Sequence, residues 1–458
     1  MTEIMIIADD LTGAADTGVR FLSGGQVKMA NLDRPGRLEG VWGLAVDTES
    51  RNAPDDCIRE IMRKTAVLVR EGRPIIIYKK IDSCLRGQIG WELAMLLGEL
   101  NLAGALVAPA YPDLGRVTRD GLHYVGDCLV SEGESSMDPF RPVTDSRLSS
   151  VLERNHGLPV RSLGLETVRK GPAAVLEAIL PGSQTTRVLW AADAETNADL
   201  DVLAEAGLEA SDRLILCGSA GLAGALSRRL LGQGEKAGTN FRPPLANAGG
   251  PRPTMFLAGS TSAVLKEQLD VLVEREGAKR VTLNISEVLD LAWVKTGTLP
   301  VSLKESEELL TKGPLIVNLP PRQGQGLHSS RQIIDAFGIL AASLITELQP
   351  GCLFISGGDT ANAVLNALGV SAGWLKAEVE PGVALLEAGP WSILTKSGGF
   401  GDRELLRRLY LGPNGNPPPV SANQTLPGPG PKVPNQKGSS KDESFPDQEP
   451  SGERGSDQ

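Results

Sequence analysis

The sequence predicts an α/β protein with two domains, each built on a mainly parallel sheet flanked by helices. Apolar runs of strand length alternate with helical patterns through both halves of the chain, which is typical of parallel sheets with crossover helices. Residues 233–253, which are rich in Gly and Pro, separate the two series and have the composition of a linker. We expect the functional site in the cleft between the two domains, where ligand sites commonly lie.

The first predicted domain, residues 1–232, begins with a buried strand. Its predicted strands are Ile4–Ala8, Val41–Val46, Pro74–Lys79, Ala105–Ala108, Val188–Ala191 and Leu214–Cys217. Its predicted helices are Asp55–Val69, Gly90–Leu100, Leu200–Ala206 and Ser219–Leu231. Because aromatic residues make up only 4% of the chain, Leu, Val, Ile and Ala must fill the core.

The second predicted domain, residues 254–411, repeats this alternation. Its predicted strands are Thr254–Ala258, Arg280–Asn284, Pro314–Leu319, Cys352–Ser356 and Trp391–Thr395, and its long predicted helices are Ala263–Glu274 and Arg331–Leu348. Residues 412–458 are rich in Pro and contain a single aromatic side chain, Phe445. Such a segment buries too little surface to offset its chain entropy, so we predict a disordered tail.

Composition and charge restrict the function. The 458 residues carry a net charge of −10, which argues against nucleic acid and anionic membranes as partners. An anionic ligand therefore needs a local cluster of Lys and Arg. Five scattered cysteines without a CxxC pair indicate reduced thiols and a cytoplasmic location, and three histidines make a multi-histidine metal site improbable. No apolar run is long enough to span a membrane.

Two adjacent carboxylates, Asp9 and Asp10, directly follow the first predicted strand, and a segment of small residues comes next. Ligands of open α/β sheets bind beyond the carboxyl ends of the strands, where these residues stand. Two like charges side by side are costly unless hydroxyls, cations or backbone N–H groups meet them. The pair is therefore a candidate ligand site, and capping of the next helix by one Asp is an equally good explanation.

A second candidate segment, Lys79–Gly90, follows the strand that contains residues 75–77 and should share a sheet edge with the two Asp residues. It combines cations, a carboxylate and a hydroxyl: Lys79, Lys80, Asp82, Ser83 and Arg86. Arg can hold a carboxylate through two parallel hydrogen bonds, and Lys supplies a compact charge. The segment therefore predicts an anion-binding turn, with a solvated charged turn as the alternative.

Two further loops of the first domain follow predicted strands. Arg51, at the end of residues 47–51, is a further candidate anchor for an anion, although a plain helix cap explains this segment equally well. Arg116 and His123 come after a loop that two prolines make rigid, and both are candidates to line the cleft. For His123 alone, a packed or surface position is the preferred interpretation.

Three predicted strand ends of the second domain carry Gly beside Ser or Thr: Leu257–Ser262, Phe354–Ala361 and Leu394–Asp402. Exposed N–H groups and the positive end of a helix dipole suit phosphate there, and Gly lets the backbone approach closely. The chain has neither the Walker pattern GxxxxGK[ST] nor a strand followed by GxGxxG, so the P-loop and NAD fingerprints are absent. The three turns indicate a nucleotide site, with ordinary tight turns as the alternative.

As a set, these residues resemble the four-carbon acid sugar kinase family. The matching segments are Ala8–Ala14, Asp47–Arg51, Lys79–Gly87, Gly259–Ser260, Ser356–Ala361 and Lys396–Gly401. They run in family order through residues 3–410, and the tail lies outside the resemblance. The resemblance implies a two-domain kinase that uses ATP to phosphorylate a terminal hydroxyl of threonate, erythronate or 3-oxo-tetronate. Cys84 stands where such a protein usually has Thr, which affects the expected shape of the acid pocket.

The resemblance also implies which residues bind each ligand. Those expected to bind the sugar acid are Asp9, Asp10, Arg51, Lys80, Ile81, Asp82, Ser83 and Arg86. Those expected to bind ATP are Ser260, Gly357, Gly358, Asp359, Thr360, Lys396, Ser397, Gly398, Gly399, Phe400 and Gly401. The expected partners are thus a small-molecule sugar acid and ATP with Mg²⁺, and a homodimer is a further option.

Phosphoryl transfer to a hydroxyl depends on positioning, Mg²⁺ and neutralisation of phosphate charge more than on covalent chemistry by the protein. A carboxylate near the acceptor hydroxyl is expected to take its proton. The candidates, ordered by strand-end placement, are Asp10, Asp82 and Asp359, and contact with Mg²⁺ is the other role for Asp359. The alternatives are a kinase of another small hydroxy acid or of 4-hydroxythreonine, and a nucleotide- or metabolite-binding protein without catalysis.

Overall fold

The computed structural model describes residues 2–138, 140–180, 186–232, 254–260, 262–290, 303, 306–320 and 327–412. All of them belong to the first of two units into which the chain divides, Met1–Thr425. The predicted linker 233–253 and the predicted tail beyond Gly412 lie outside the described residues.

The described strands are, in chain order, β1 (Ile4–Ala8), β2 (Val27–Asn31), β3 (Gly43–Asp47), β4 (Ile76–Lys80), β5 (Gly104–Ala108), β6 (Arg116–Arg119), β7 (Leu122–Val125), β8 (Cys128–Leu129), β9 (Val160–Leu163), β10 (Val188–Ala192), β11 (Leu214–Gly218), β12 (Thr254–Ala258), β13 (Lys279–Thr282), β14 (Leu315–Asn318), β15 (Cys352–Ser356), β16 (Ala372–Glu380), β17 (Val383–Ala388) and β18 (Trp391–Lys396).

The described α-helices are α1 (Leu11–Gly18), α2 (Ile58–Gly72), α3 (Ile89–Leu100), α4 (Leu148–Leu152), α5 (Leu165–Val168), α6 (Pro172–Ile179), α7 (Asn197–Glu209), α8 (Ala220–Leu231), α9 (Ala263–Glu276), α10 (Ile285–Leu289), α11 (Ser306–Lys312), α12 (Leu327–Leu348), α13 (Gly358–Ala367) and α14 (Leu405–Leu411).

Fifteen of the described strands form one sheet, in the order β13-β14-β12-β15-β18-β17-β16-β2-β3-β1-β4-β11-β5-β10-β9, and β6, β7 and β8 form a small second sheet. In the large sheet, pairing is parallel except around the hairpin of β16 and β17, where β16 also pairs with β2 and β17 with β18. The predicted α/β class with a mainly parallel sheet is therefore confirmed.

The sequence predicted two separate sheets, whereas the strands of both halves share this one sheet. The joint is the antiparallel pair of β2 and β16, neither of which was predicted. Burial alternates along Gly373–Ala377 of β16, as expected for an amphipathic strand, and Pro381-Gly382 forms the turn to β17. That alternation is weaker than the continuous apolar runs of the parallel strands, so the sequence reasoning missed this hairpin.

The central parallel strands are apolar because helices cover both of their faces. Every residue of β1, β5, β10, β12 and β15 is buried, and each of these strands consists almost entirely of apolar residues. The polar side chains of a functional site are therefore expected where these strands end. Within the described part of the chain, the helices are too short or too polar to cross a membrane.

Candidate active site

Three neighbouring strand ends bring the predicted acid-binding segments together. β1 lies between β3 and β4 in the sheet, and Ala8 at its end pairs with Asp47 on one side and Lys80 on the other. Because all three strands are parallel, the chain leaves each of them at the same edge. This places Asp9 and Asp10 between the segment that ends at Arg51 and the turn that begins at Ile81.

Arg51 pairs with both adjacent carboxylates. Its Nε and Nη2 atoms donate to the two oxygens of Asp9 at 3.0 and 2.9 Å, and its Nη1 donates to Oδ2 of Asp10 at 2.6 Å. Burial raises the pKa of the Asp10 carboxyl, but the charges of Arg51 and Lys80 outweigh this effect and hold the pKa below its usual range. Arg51 is thus a guanidinium clamp on the acidic pair, with most of its donors already in use.

Asp10 is also the N-cap of α1. Its carboxylate accepts a hydrogen bond from the backbone N–H of Gly13 and another from the hydroxyl of Thr12, each at 2.8 Å. The capping role and the placement at the ligand edge, which the sequence left as alternatives, are therefore combined in one residue.

The turn after β4 is organised by Asp82. Its carboxylate accepts from the backbone N–H groups of Cys84 and Arg86 and, through two parallel bonds of 2.9 Å, from the Arg86 guanidinium. Burial raises the pKa of Asp82, but Arg86 and Arg51 hold it well below the usual range. Arg86 also donates to Asp138 at 3.2 Å, so its charge is shared between two carboxylates.

The two lysines at the end of β4 point to different surroundings. Lys80 is buried, and its ammonium donates to the carbonyl of Ile81 at 2.9 Å, near Gly13. Lys79 is fully buried on the other face and forms an ion pair of 2.7 Å with Glu92 of α3. Of these two lysines, only Lys80 contributes a cation to the candidate site.

The small sheet supports the same turn from behind. His123 of β7 is fully buried, and its Nε2 lies 2.9 Å from the carbonyl oxygen of Ser83. Because a carbonyl only accepts, Nε2 carries the proton, and Nδ1 accepts from the Thr118 hydroxyl at 2.9 Å. Burial lowers the pKa of His123 to about 4, so the ring is neutral at physiological pH. His123 thus has the packed position that its sequence context favoured.

The second-half turns also meet at neighbouring strand ends. β12, β15 and β18 lie side by side, with Ala258 paired to Ser356 and Ser356 paired to Lys396. A Cβ atom on Gly259 would lie 2.4 Å from the Thr360 hydroxyl, and one on Gly398 would lie 2.4 Å from the Ser260 hydroxyl. The three turns are therefore packed backbone against side chain, and Gly is required where they touch.

The side chain of Lys396 is directed into its own turn. It is buried, and its ammonium donates to the carbonyls of Ser397 and Gly398, each at 3.0 Å. Burial lowers the pKa of this ammonium to about 7. Lys396 therefore holds the shape of the turn that was predicted to bind ATP.

The two groups of turns touch each other at the start of α13. A Cβ atom on Gly358 would lie 2.4 Å from Oδ2 of Asp10, and the amide of Asn52 donates to both oxygens of Asp359 at 3.1 and 3.3 Å. Burial raises the pKa of Asp359, more than Arg51 lowers it. The N-terminus of α13 and the carboxylate cluster of β1 are thus direct neighbours.

Two small cavities lie at this junction. The larger, of about 110 Å³, is lined by Asp10, Arg51, Asn52, Arg86, Asp138, Phe140, Gly259, Ser260, Ile334, Gly357, Gly358, Asp359, Thr360, Ser397 and Gly398. The smaller, of about 20 Å³, is lined by Asp10, Thr12, Gly13, Asp16, Arg51, Lys80, Asp82, Ser83, Ser397 and Phe400. Predicted site residues from both halves of the chain therefore line the same spaces.

Some predicted site residues line neither cavity. They are Asp9, which pairs with Arg51, and Ile81, Lys396, Gly399 and Gly401. The cavity walls also contain residues that the sequence reasoning missed, notably Asn52, Asp138 and Phe140. Asn52 directly follows Arg51 at a strand end, so its position was a usable signal, whereas Asp138 and Phe140 come from an irregular loop that has no such signal.

Two family models match the chain, one in each half. A sugar-binding N-terminal domain matches residues 4–226, and a nucleotide-binding C-terminal domain matches residues 255–406. Together they cover both groups of turns that line the cavities.

Curated relatives match over most of their length. The D-threonate kinase of Bordetella bronchiseptica is 31% identical over 88% of this chain and 96% of its own. The D-threonate kinase of Salmonella typhimurium is 29% identical over 89% of this chain and 98% of its own. The 3-oxo-tetronate kinase of Methylobacterium radiotolerans is 28% identical over 88% and 97%.

Solved structures agree with the fold. A protein from Salmonella typhimurium superposes with a TM-score of 0.69 at 23% identity, covering 89% of this chain and 98% of its own. A protein from Haemophilus influenzae superposes with a TM-score of 0.63 at 26% identity, covering 88% and 98%.

The two matching family models thus describe a sugar-binding and a nucleotide-binding domain. The chain belongs to the four-carbon acid sugar kinase family, as the resemblance of its motifs predicted.

Because Gly358 lies close to Asp10, we expect even an alanine at this position to destabilise the fold. Gly358→Ala should lower the free energy of unfolding by about 1–3 kcal/mol, because the methyl group would displace a buried carboxylate or the start of α13. Gly98→Ala, in α3 with open space around the added methyl, is the matched control and should be neutral or stabilising. Urea denaturation measures both, and equal stability of the two variants would contradict the contact.

Neutral, buried His123 predicts a pH-dependent contribution to stability. Its pKa is about 4 when folded and about 6.5 when unfolded, so the unfolded chain binds more protons between these values. The wild type should therefore lose up to about 3 kcal/mol relative to His123→Gln as the pH falls from 7 to 4. Urea denaturation of both proteins across this range measures the difference, and a pH-independent difference would show that the pKa of His123 is the same in the folded and unfolded states.

Proposed function

We propose that this chain is an ATP-dependent kinase that phosphorylates a terminal hydroxyl of a four-carbon sugar acid, namely threonate, erythronate or 3-oxo-tetronate. The observation that carries the proposal is the shared cavity, in which Asp10 and Arg51 face Gly358 and Asp359 of α13. The names of the curated relatives support the same chemistry, because they are kinases of these acids.

Each of the two groups of strand ends is proposed to bind one of the two ligands. Residues 1–232 are proposed to bind the acid and residues 254–411 the nucleotide, with the site in the cleft between them. The boundary is supported by the two family models, which end at residue 226 and begin at residue 255. We also propose a cytoplasmic location, since the cysteines are free, and a homodimer is a proposal that light scattering can test.

The acid is proposed to bind through its hydroxyls on the carboxylate side of the cavity. Asp10 and Asp82 are ionised at neutral pH because Arg and Lys charges lower their pKa values, so both are hydrogen-bond acceptors. Lys80 and Ser83 line the smaller cavity between them and supply donors. A polyhydroxylated chain suits such an alternation of acceptors and donors.

The triphosphate is proposed to lie at the N-terminus of α13 with its oxygens on backbone N–H groups. Gly357 has a φ of +100°, which a side chain rarely adopts, and Gly358 follows at the first turn of the helix. The orphan N–H groups and the helix dipole favour an anion there. Ser260 and Thr360 add hydroxyl groups, and Ser397 and Gly398 close the opposite wall of the larger cavity.

We propose a different proton acceptor from the one that the sequence ranked first. Asp10 and Asp82 are weak bases, since each is paired with a guanidinium and has a lowered pKa. They are proposed to orient the acceptor hydroxyl. Asp359 has a raised pKa and a neutral hydrogen-bond partner, Asn52, so it is the better candidate to accept the proton.

The described residues offer only a partial site for Mg²⁺. They contain no cluster of three His, Cys, Asp or Glu side chains arranged to hold a metal. Asp359 is the one carboxylate of the larger cavity's second-half wall, and Mg²⁺ with ATP usually needs only one or two carboxylates beside the phosphates. As the alternative to accepting the proton, Asp359 would hold the ion, which when bound neutralises phosphate charge during transfer.

An assay of ADP release over a panel of tetronates tests the proposed function. With Mg²⁺ and ATP we expect acid-dependent turnover on at least one member, and product NMR should locate the phosphate on a terminal hydroxyl. Reactions without acid, and with 4-hydroxythreonine or other small hydroxy acids, are the controls. Binding of ATP and acid by calorimetry without any ADP release would instead identify a binding protein that lacks catalysis.

A further inference from the structure

The two arginines that the sequence predicted to bind an anion, Arg51 and Arg86, are each paired with carboxylates of the protein. Arg51 is paired with Asp9 and Asp10, and Arg86 is paired with Asp82 and Asp138. A guanidinium that two carboxylates share has little charge left for a third anion. Beside Lys80, an arginine whose charge is not shared in this way would be the better partner for an anionic substrate.

Arg116 of β6 is such a cation. Only 9% of its surface is exposed, and among the described residues no carboxylate lies within ion-pair distance of its guanidinium. Its Nη1 donates to the hydroxyl of Ser83 at 2.8 Å, and its Nε is buried without a hydrogen-bond partner. A buried charge without a counter-charge is costly, which favours a ligand that supplies one.

The position of Arg116 connects it to both groups of turns. Its guanidinium carbon lies 4.8 Å from the ring centre of Phe400, which belongs to the turn after β18. Arg116 adjoins the smaller cavity through its two partners, Ser83 and Phe400, which line it together with Lys80. The two cavities share Asp10, Arg51 and Ser397, so an acid that reaches from one to the other would pass the acidic pair.

We propose that Arg116 binds the carboxylate of the sugar acid and so selects an acid over an uncharged polyol. This inference rests on the proposed function. The carboxylate lies at the Ser83 and Lys80 end of the smaller cavity, and the hydroxyls reach toward Asp10 and Asp82. The opposite end of the acid then faces α13, where the phosphate is transferred. Arg suits this role because its planar fork matches a carboxylate.

A comparison of two acceptors tests the assignment. The acid and the four-carbon polyol of the same configuration differ in the carboxylate, so the ratio of their kcat/KM values measures what that group contributes. We expect Arg116→Gln to lower kcat/KM for the acid roughly 100-fold while changing that for the polyol less than about threefold. Arg116→Lys, which keeps the charge but loses the fork, should give an intermediate ratio.

Arg119→Gln is the matched control. Arg119 lies on the same strand, is exposed and pairs with Glu195 at 3.3 Å. Its replacement should therefore leave kcat/KM unchanged for both the acid and the polyol. A purely structural role of Arg116 would lower turnover of the acid and the polyol equally, and a role in holding the transferred phosphate would do the same. Either result would overturn the proposal.

If the polyol is phosphorylated too slowly for its kcat/KM to be measured, calorimetry provides a second test. The Kd of the acid, measured on the ADP-bound protein, should rise roughly 100-fold in Arg116→Gln while the Kd of ADP is unchanged. An unchanged Kd of the acid would refute the assignment of Arg116 and leave the proposed function standing. Failure of the wild type to bind or turn over any tetronate would refute the proposed function itself.

Discussion

Two carboxylates side by side at the end of a buried strand impose the constraint on which the site depends. Asp9 and Asp10 leave β1 together, and two carboxylates side by side are costly unless cations or N–H groups meet them. Arg51 supplies three donors from the neighbouring strand end, and α1 supplies a fourth from its first turn. Because this pairing engages Arg51 with two carboxylates, the proposed partner of the acid's carboxylate is another arginine, Arg116.

Much of the fold could be predicted from the sequence because parallel strands leave a strong signal. The runs Ile4–Ala8, Thr254–Ala258 and Cys352–Ser356 are strands with the predicted bounds. β2 and β16 were missed because polar residues interrupt their burial, and β17 was missed although residues 383–386 form a short apolar run. Those strands join the two halves into one sheet, so the overall connection of the sheet could not be inferred from local patterns.

The site was predictable to the extent that its residues follow strands. Strand-end position alone brought Asp10, Arg51, Asp82 and Gly358 into the candidate set, and the structure places all four at the lined cavities. The pairing of charges could not be predicted, because which carboxylate meets which guanidinium depends on register and on side-chain direction. Arg86 thus forms ion pairs with Asp82 and Asp138, whereas Arg116, from the small sheet, forms no ion pair with a carboxylate among the described residues.

The central claim is that a sugar acid and a triphosphate meet where Asp10 touches Gly358. A crystal structure with a tetronate and a non-hydrolysable ATP analogue tests it most directly. We expect both ligands in the cavity that Asp10, Arg51 and Gly358 line. The γ-phosphate should lie at the start of α13, with a terminal hydroxyl of the acid facing it. Ligands found in separate, unconnected pockets would contradict it.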